Sequence, residues 1–210
     1  MAVNACDLKN IFKNISKVIE ENEKFLSELD GAIGDGDHGF NMNKGFKAVI
    51  EKIDSIEDKD IGKLLKTVGM TLVTNVGGAS GPLYGTAFMY SGKKLAGKEE
   101  LNIEDLVVIL EESLNGIKVR GKAETGEKTM VDSISPALDA LKESLNNGLD
   151  SKEAMKNVVD AAQKGVEYTK DIIATKGRAS YLGERSIGHQ DPGATSSYLI
   201  LKSIYETITT

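Results

Sequence analysis

The sequence has no tryptophan, one cysteine, three prolines and two histidines in 210 residues, and aromatic side chains make up only 5%. Each shortage excludes something. A lone thiol, Cys6, cannot form an intramolecular disulfide or a Cys-rich zinc site, so a reducing cytoplasm is the expected compartment. An all-β fold wants aromatic and β-branched strands, and no convincing period-two segment is present. No stretch approaches the ~18 consecutive apolar residues of a membrane span. Residues 1–9 lack the basic-then-apolar order of a secretory signal. A soluble protein without a membrane partner is expected. The net charge of −6 gives no overall basic field, so nucleic acid is not an expected partner either.

What is present is helical periodicity. With 40% hydrophobic and 28% charged residues, the chain has the balance of one globular domain spanning 1–210. Leu8, Ile11, Phe12, Ile15, Ile19, Leu26 and Leu29 follow three-and-four spacing and predict one helix closed by Gly31. Phe46 to Ile53 predicts a second, and Ile61 to Val76 a third. A fourth starts near Pro82 and runs to Gly97, and a fifth carries Ile103 to Ile117. The sixth begins near Thr129, with Pro136 marking a kink or a late start. Asp150 and Glu153 open the seventh like a capping box, and the eighth follows Asp191-Pro192-Gly193. The expected fold class is therefore all-α, with eight helices in an antiparallel up-and-down bundle.

In such an order alternate connections emerge at the same end. The even-numbered ones, near residues 55–60, 97–102 and 146–150, are polar and bland. The odd-numbered ones are not. They comprise residues 30–39, 77–82, 121–129 and 176–193, and a single site between helix ends is the consequence. Asp30, Asp35 and Asp37 bring three carboxylates into a glycine-relaxed turn, a costly grouping unless a cation or donors offset it. Magnesium or another hard cation is the natural partner, with an ordinary exposed Asp-Gly turn as the alternative. Gly77-Gly78-Ala79-Ser80-Gly81 leads into a helix and suits an anionic phosphate. Arg178 and Arg185 lie in the last long loop, where Arg178 is placed to pair with phosphate oxygens. Both histidines, His38 and His189, fall in these loops, open to roles as acid, base, metal ligand or phosphate donor.

Three familiar motifs fail on context. Gly34 to Gly39 matches GxGxxG, but a helix precedes it where a strand is required. Gly121 to Thr129 carries Glu127 before Lys128-Thr129 and is no Walker A loop. A calcium-loop pattern starting at Asp35 places Gly39 and Phe40 where a ligand and the glycine belong.

Four ordered motifs carry a resemblance. They are Gly34-Asp35-Gly36-Asp37-His38-Gly39, Gly77-Gly78-Ala79-Ser80-Gly81-Pro82-Leu83-Tyr84-Gly85-Thr86, Gly126-Glu127-Lys128-Thr129-Met130-Val131-Asp132, and Gly177-Arg178-Ala179-Ser180-Tyr181-Leu182-Gly183 through Asp191-Pro192-Gly193-Ala194. Over almost the whole chain they resemble the nucleotide-binding L subunits of bacterial dihydroxyacetone kinases. The resemblance implies an eight-helix antiparallel barrel with a nucleotide at one end. It implies that Asp30, Asp35 and Asp37 hold two Mg2+ ions. It further implies that His38, Gly39, Phe40, Asn41, Ala79, Ser80, Gly121, Met130, Arg178, Asp191, Pro192 and Gly193 line ADP, or ATP once it is phosphorylated. No general base or other catalytic side chain is expected on this chain.

The implied partners are a dihydroxyacetone-binding K subunit and the M subunit, a phosphohistidine donor of the sugar phosphotransferase system. A homodimer and, for some subunits of the family, a transcription regulator are also implied. Two further readings stand beside this one. One is a domain that uses ATP directly, as in related dihydroxyacetone or fatty-acid kinases, and the other is a nucleotide-sensing regulator without chemistry.

Overall fold

The computed structural model describes residues 2–209. The first helix, α1 (Ala5–Glu21), starts on a full capping box. The Asn4 side chain accepts from the Cys6 and Asp7 amides, and Asp7 returns a bond to the Asn4 amide. Its buried stripe, Leu8, Ile11, Phe12, Ile15 and Ile19, is the one the spacing predicts. The chain then breaks at Asn22, whose side chain folds back on the Val18 carbonyl, and resumes as α2 (Glu23–Ile33). The single helix expected over residues 7–29 is thus two. Between Ile19 and Leu26 the chain is polar except for the exposed Phe25, and nothing in that stretch marks the break.

The remaining helices are α3 (His38–Asp54), α4 (Ile61–Asn75), α5 (Ser80–Lys94), α6 (Ile103–Gly121), α7 (Val131–Asn146), α8 (Ser151–Tyr168) and α9 (Pro192–Thr209). That makes nine α-helices among the described residues, arranged in a ring of eight places. Each helix from α3 to α9 packs on the next, α9 closes on α1, and α1 with α2 fills the place between α9 and α3. Within the last connection lies a 3-10 segment, Arg178–Ser186, where a loop was expected. Two-residue strands β1 (Val3–Asn4) and β2 (Glu100–Leu101) pair antiparallel and fasten the N-terminus beside α6.

The barrel interior is filled. Phe12 of α1 meets Phe88 of α5 edge to face, centroids 5.5 Å apart, so side chains from distant places in the ring touch. Where α4 and α5 cross, Gly69 and Gly85 let backbones touch: a Cβ on Gly69 would lie 2.6 Å from the Gly85 carbonyl oxygen. Pro136 sits inside α7, which begins at Val131 without a late start. Its missing N–H leaves the Asp132 carbonyl to pack on Gly165 of α8, where a Cβ would approach within 2.0 Å.

Candidate functional site

Four helices begin at one end of the barrel, and the residues at their starts, His38, Ser80, Met130 and Pro192, line one cleft of about 430 Å³. The four loops singled out by the sequence converge there. The first amides of a helix have no intrahelical acceptor and carry a partial positive charge. At α5 no side chain caps them, whereas at α3 the His38 amide donates to Asp30 Oδ2 and the Phe40 amide to Ser27 Oγ, and at α7 the Val131 amide donates to Thr129 Oγ1. At α9 the Asp191 carboxylate accepts from the Ala194 amide at 2.6 Å.

One wall is acidic. Asp30 stands in the last turn of α2, and Asp35 and Asp37 follow in the tight turn before α3. One carboxylate oxygen from each lies within 4.8 Å of the others. The turn folds over Asp30, whose Oδ2 accepts from the amides of Asp37 at 2.9 Å and His38 at 3.2 Å. Gly34 is required there, since a Cβ would sit 2.2 Å from Asp30 Oδ1. Burial, with Asp35 and Asp37 adding repulsion, raises the Asp30 pKa despite those two amides. Arg178 reaches across from the last loop to within 2.9 Å of Asp35. Among the described residues that is the one ion pair to these carboxylates, so the cluster keeps unbalanced negative charge and an all-oxygen donor set. Both features fit a hard divalent cation.

The floor is a buried chain of hydroxyls and imidazole that joins three helices. Ser80 Oγ on α5 is 3.0 Å from His38 Nδ1 on α3, and His38 Nε2 is 2.9 Å from Ser196 Oγ on α9. The Tyr84 hydroxyl lies 2.7 Å from Ser196 and 2.8 Å from Ser197. Burial pushes the His38 pKa down to about 4, so the ring is neutral near pH 7 with a serine hydroxyl on each nitrogen. The Tyr84 phenol is pushed up by the same burial. Burial also raises the Asp191 carboxyl to about 7, with Asp132 adding repulsion and Lys128 opposing it.

The opposite wall is apolar, formed by Leu83, Ile117, Ala123 and Met130, with Gly121 beside them. Asn41, Ala79, Gly121, Met130, Arg178, Asp191, Pro192 and Gly193 therefore line one cleft with the three aspartates, His38 and Ser80. Gly39 and Phe40 do not line it. Gly39 is pressed against α2, where a Cβ would meet the Glu23 carbonyl oxygen at 1.9 Å, and the Phe40 side chain is exposed. His189 and Arg185 are exposed in the last loop outside the lining. Sequence reasoning missed Tyr84, Ser196 and Lys128. Tyr84 and Lys128 stand inside quoted motifs, but an aromatic at helical spacing reads as core and a loop lysine reads as solvated. Ser196 carries no signal of its own.

Comparison with known proteins gives the same architecture a family. The model of the DAK2 domain matches residues 32–206. The ADP-binding subunit DhaL of the PEP-dependent dihydroxyacetone kinase of Escherichia coli K12 is 42% identical, over 97% of this chain and 97% of its own. The corresponding subunit of kinase 1 of Listeria innocua is 47% identical over 90% of this chain and 89% of its own. The crystal structure of the dihydroxyacetone kinase of C. freundii in complex with AMP-PNP and Mg2+ superposes with a TM-score of 0.72 at 27% identity, over 94% of this chain. This chain spans 33% of that longer protein. The chain therefore belongs to the DAK2 domain family, whose chemistry is phosphotransfer.

Proposed function

We propose that this chain is the ADP-binding subunit of a phosphotransferase-system-dependent dihydroxyacetone kinase. The observation that carries the reading is one cleft whose lining combines three gathered carboxylates, an apolar patch and the starts of four helices, that of α5 without a side-chain cap. Asp30, Asp35 and Asp37 hold two Mg2+ ions, which when bound neutralise charge on the phosphates and on the transferring group. The amides of Ala79 and Ser80 and the Arg178 guanidinium take phosphate oxygens. Met130, with Leu83 and Ile117, covers the base, and Asn41, Gly121, Asp191, Pro192 and Gly193 complete the wall. Gly39 and Phe40 serve as backbone of the first turn of α3, and Gly39 allows its close approach to α2.

The cleft residues would hold ADP as a resident cofactor; it would supply the acceptor for a phosphoryl group, which makes it ATP, and would be ADP again once dihydroxyacetone has taken that group. The donor is a phosphohistidine protein, and the acceptor is dihydroxyacetone on a separate cytoplasmic K subunit. His38 holds Ser80 and is not itself phosphorylated, because both ring nitrogens are engaged and the ring is buried. This chain's part is positioning and electrostatics in a single domain, with no general base of its own. Adding it to purified K subunit and phosphorylated donor should restore dihydroxyacetone phosphate formation. A regulator that only senses nucleotide would never restore it, and a chain that works with ATP alone would need no donor.

A further inference from the structure

Lys128 is 1% exposed and adopts a left-handed backbone, φ 61°, which non-glycine residues rarely take. Its turn is held by Asp132, which accepts from the amides of Gly126 and Thr129. The ammonium points into the neck of the last loop, where it donates to the carbonyls of Thr169 and His189 and to that of Ile172 at 3.3 Å. Thr169 and Ile172 belong to the outgoing stem of the loop and His189 to the returning stem. Two further bonds cross the same neck: the Gly188 amide to the Lys170 carbonyl at 2.7 Å, and the Asp191 amide to Thr169 Oγ1 at 2.9 Å.

The neighbouring residue works on the same loop. The Glu127 carboxylate accepts from Thr175 Oγ1 at 3.1 Å and meets the Lys176 ammonium at 3.5 Å, and its carbonyl accepts from the Thr175 amide. From this neck rises the stretch that carries Arg178, whose side chain is 67% exposed and reaches Asp35.

Lys128 sits in the lining of the cleft between Glu127 and Thr129, where an ammonium could reach a bound phosphate. The bond inventory decides against that role. An ammonium has three protons, and three backbone carbonyls take them. We infer that Lys128 is a positioning residue that clasps both stems of the last loop and thereby sets Arg178 at the phosphate side of the cleft. The inference rests on the proposed phosphate role of Arg178. No other side chain replaces the clasp: methionine leaves three buried acceptors unmatched, and the planar fork of arginine cannot aim at three converging carbonyls. Burial lowers the Lys128 pKa, and the nearby carboxylates of Asp191, Asp171 and Asp132 oppose that shift in part.

The test is Lys128→Met in the full chain, read by amide exchange and by binding of Mg-ADP and of adenosine. Faster exchange across residues 170–190, with α1 to α5 still protected, is expected in the free protein. ADP affinity should fall about ten- to hundredfold while adenosine affinity holds, because only the charged contact is displaced. In the double variant with Arg178→Ala, ADP should bind no more weakly than to Arg178→Ala alone.

Unchanged exchange over 170–190 overturns the clasp, whether or not the wild-type chain binds ADP. Full ADP affinity on a loosened loop, or additive losses in the double variant, overturns its link to Arg178. A wild-type chain that never binds ADP removes the functional reading and leaves the exchange result to judge the clasp. If Lys128→Met does not fold, Lys128→Arg undergoes the same measurements, with a smaller loosening expected.

Discussion

The two ends of this barrel treat the same problem in opposite ways. Every α-helix starts with amides that lack intrahelical acceptors. At the far end α1, α4, α6 and α8 begin on Asn4, Asp60, Asn102 and Asp150, and each of these side chains accepts from the first turn. At the cleft end α3, α5 and α7 take no bond from the side chain of their N-cap residue and α9 takes one from Asp191; the first turn of α3 is met instead from α2, by Asp30 and Ser27, and Val131 of α7 by Thr129. Carboxylates are matched locally at both ends, as Asp58 is by Lys63 at 2.8 Å and Glu124 by Lys118 at 2.6 Å, but Asp30, Asp35 and Asp37 are gathered with a single ion pair, from Arg178 to Asp35. One end satisfies its helix starts with local Asn and Asp caps, and the other with side chains drawn from neighbouring elements or, at α5, with none.

The largest effect expected from breaking this contrast is at the acidic wall. Asp35→Asn should abolish Mg2+-dependent ADP retention while the helical circular dichroism and the melting temperature are kept, because removing one of three like charges relieves repulsion in the free chain. A variant that melts much earlier would mean that the cluster serves the fold.

Acid should then strain the cleft floor. His38 has a folded pKa of about 4 against an ordinary 6.5, so it is neutral in the fold but protonated in the unfolded chain between those values. Its penalty is absent above about pH 6.5 and grows as pH falls toward 4, reaching about 3 kcal/mol. Urea melts of wild type and His38→Asn across that window should therefore converge or cross, with the wild type losing more as pH falls. Parallel curves would place the histidine outside the buried network.

Ser80→Ala comes next. It removes the hydroxyl that joins the first turn of α5 to His38, and ADP binding should weaken about tenfold by calorimetry. The smallest effect belongs to the far end. Asn102→Ala should cost about 1 kcal/mol of unfolding free energy and leave ADP binding untouched. A nucleotide effect there would show that the two ends are coupled.

Most of the ring was legible because its helices carry continuous apolar stripes and glycine or Asx boundaries. The 22 glycines, odd for composition alone, find their use in close approaches such as Gly69 to Gly85 and in folds over a carboxylate such as Gly34. The break at Asn22 was not legible, since a gap of two helical turns between Ile19 and Leu26 suits one helix or two. At the site, the convergence of four loops followed from counting helices, but the bonds of individual side chains did not. Gly39 adjoins the aspartate turn in sequence while its face is turned to α2. Lys128 reads as a solvated loop lysine until its three carbonyl partners are known, and those lie 41 to 61 residues away. Contacts of that range leave no periodic trace.

The most direct test of the central claim, that the cleft end is built for a resident metal–nucleotide pair, is to denature freshly purified protein, identify the released nucleotide by chromatography and count the bound magnesium. The account predicts near-stoichiometric ADP accompanied by magnesium. Protein that is empty, and that binds neither ADP nor ATP when magnesium is supplied, would contradict it.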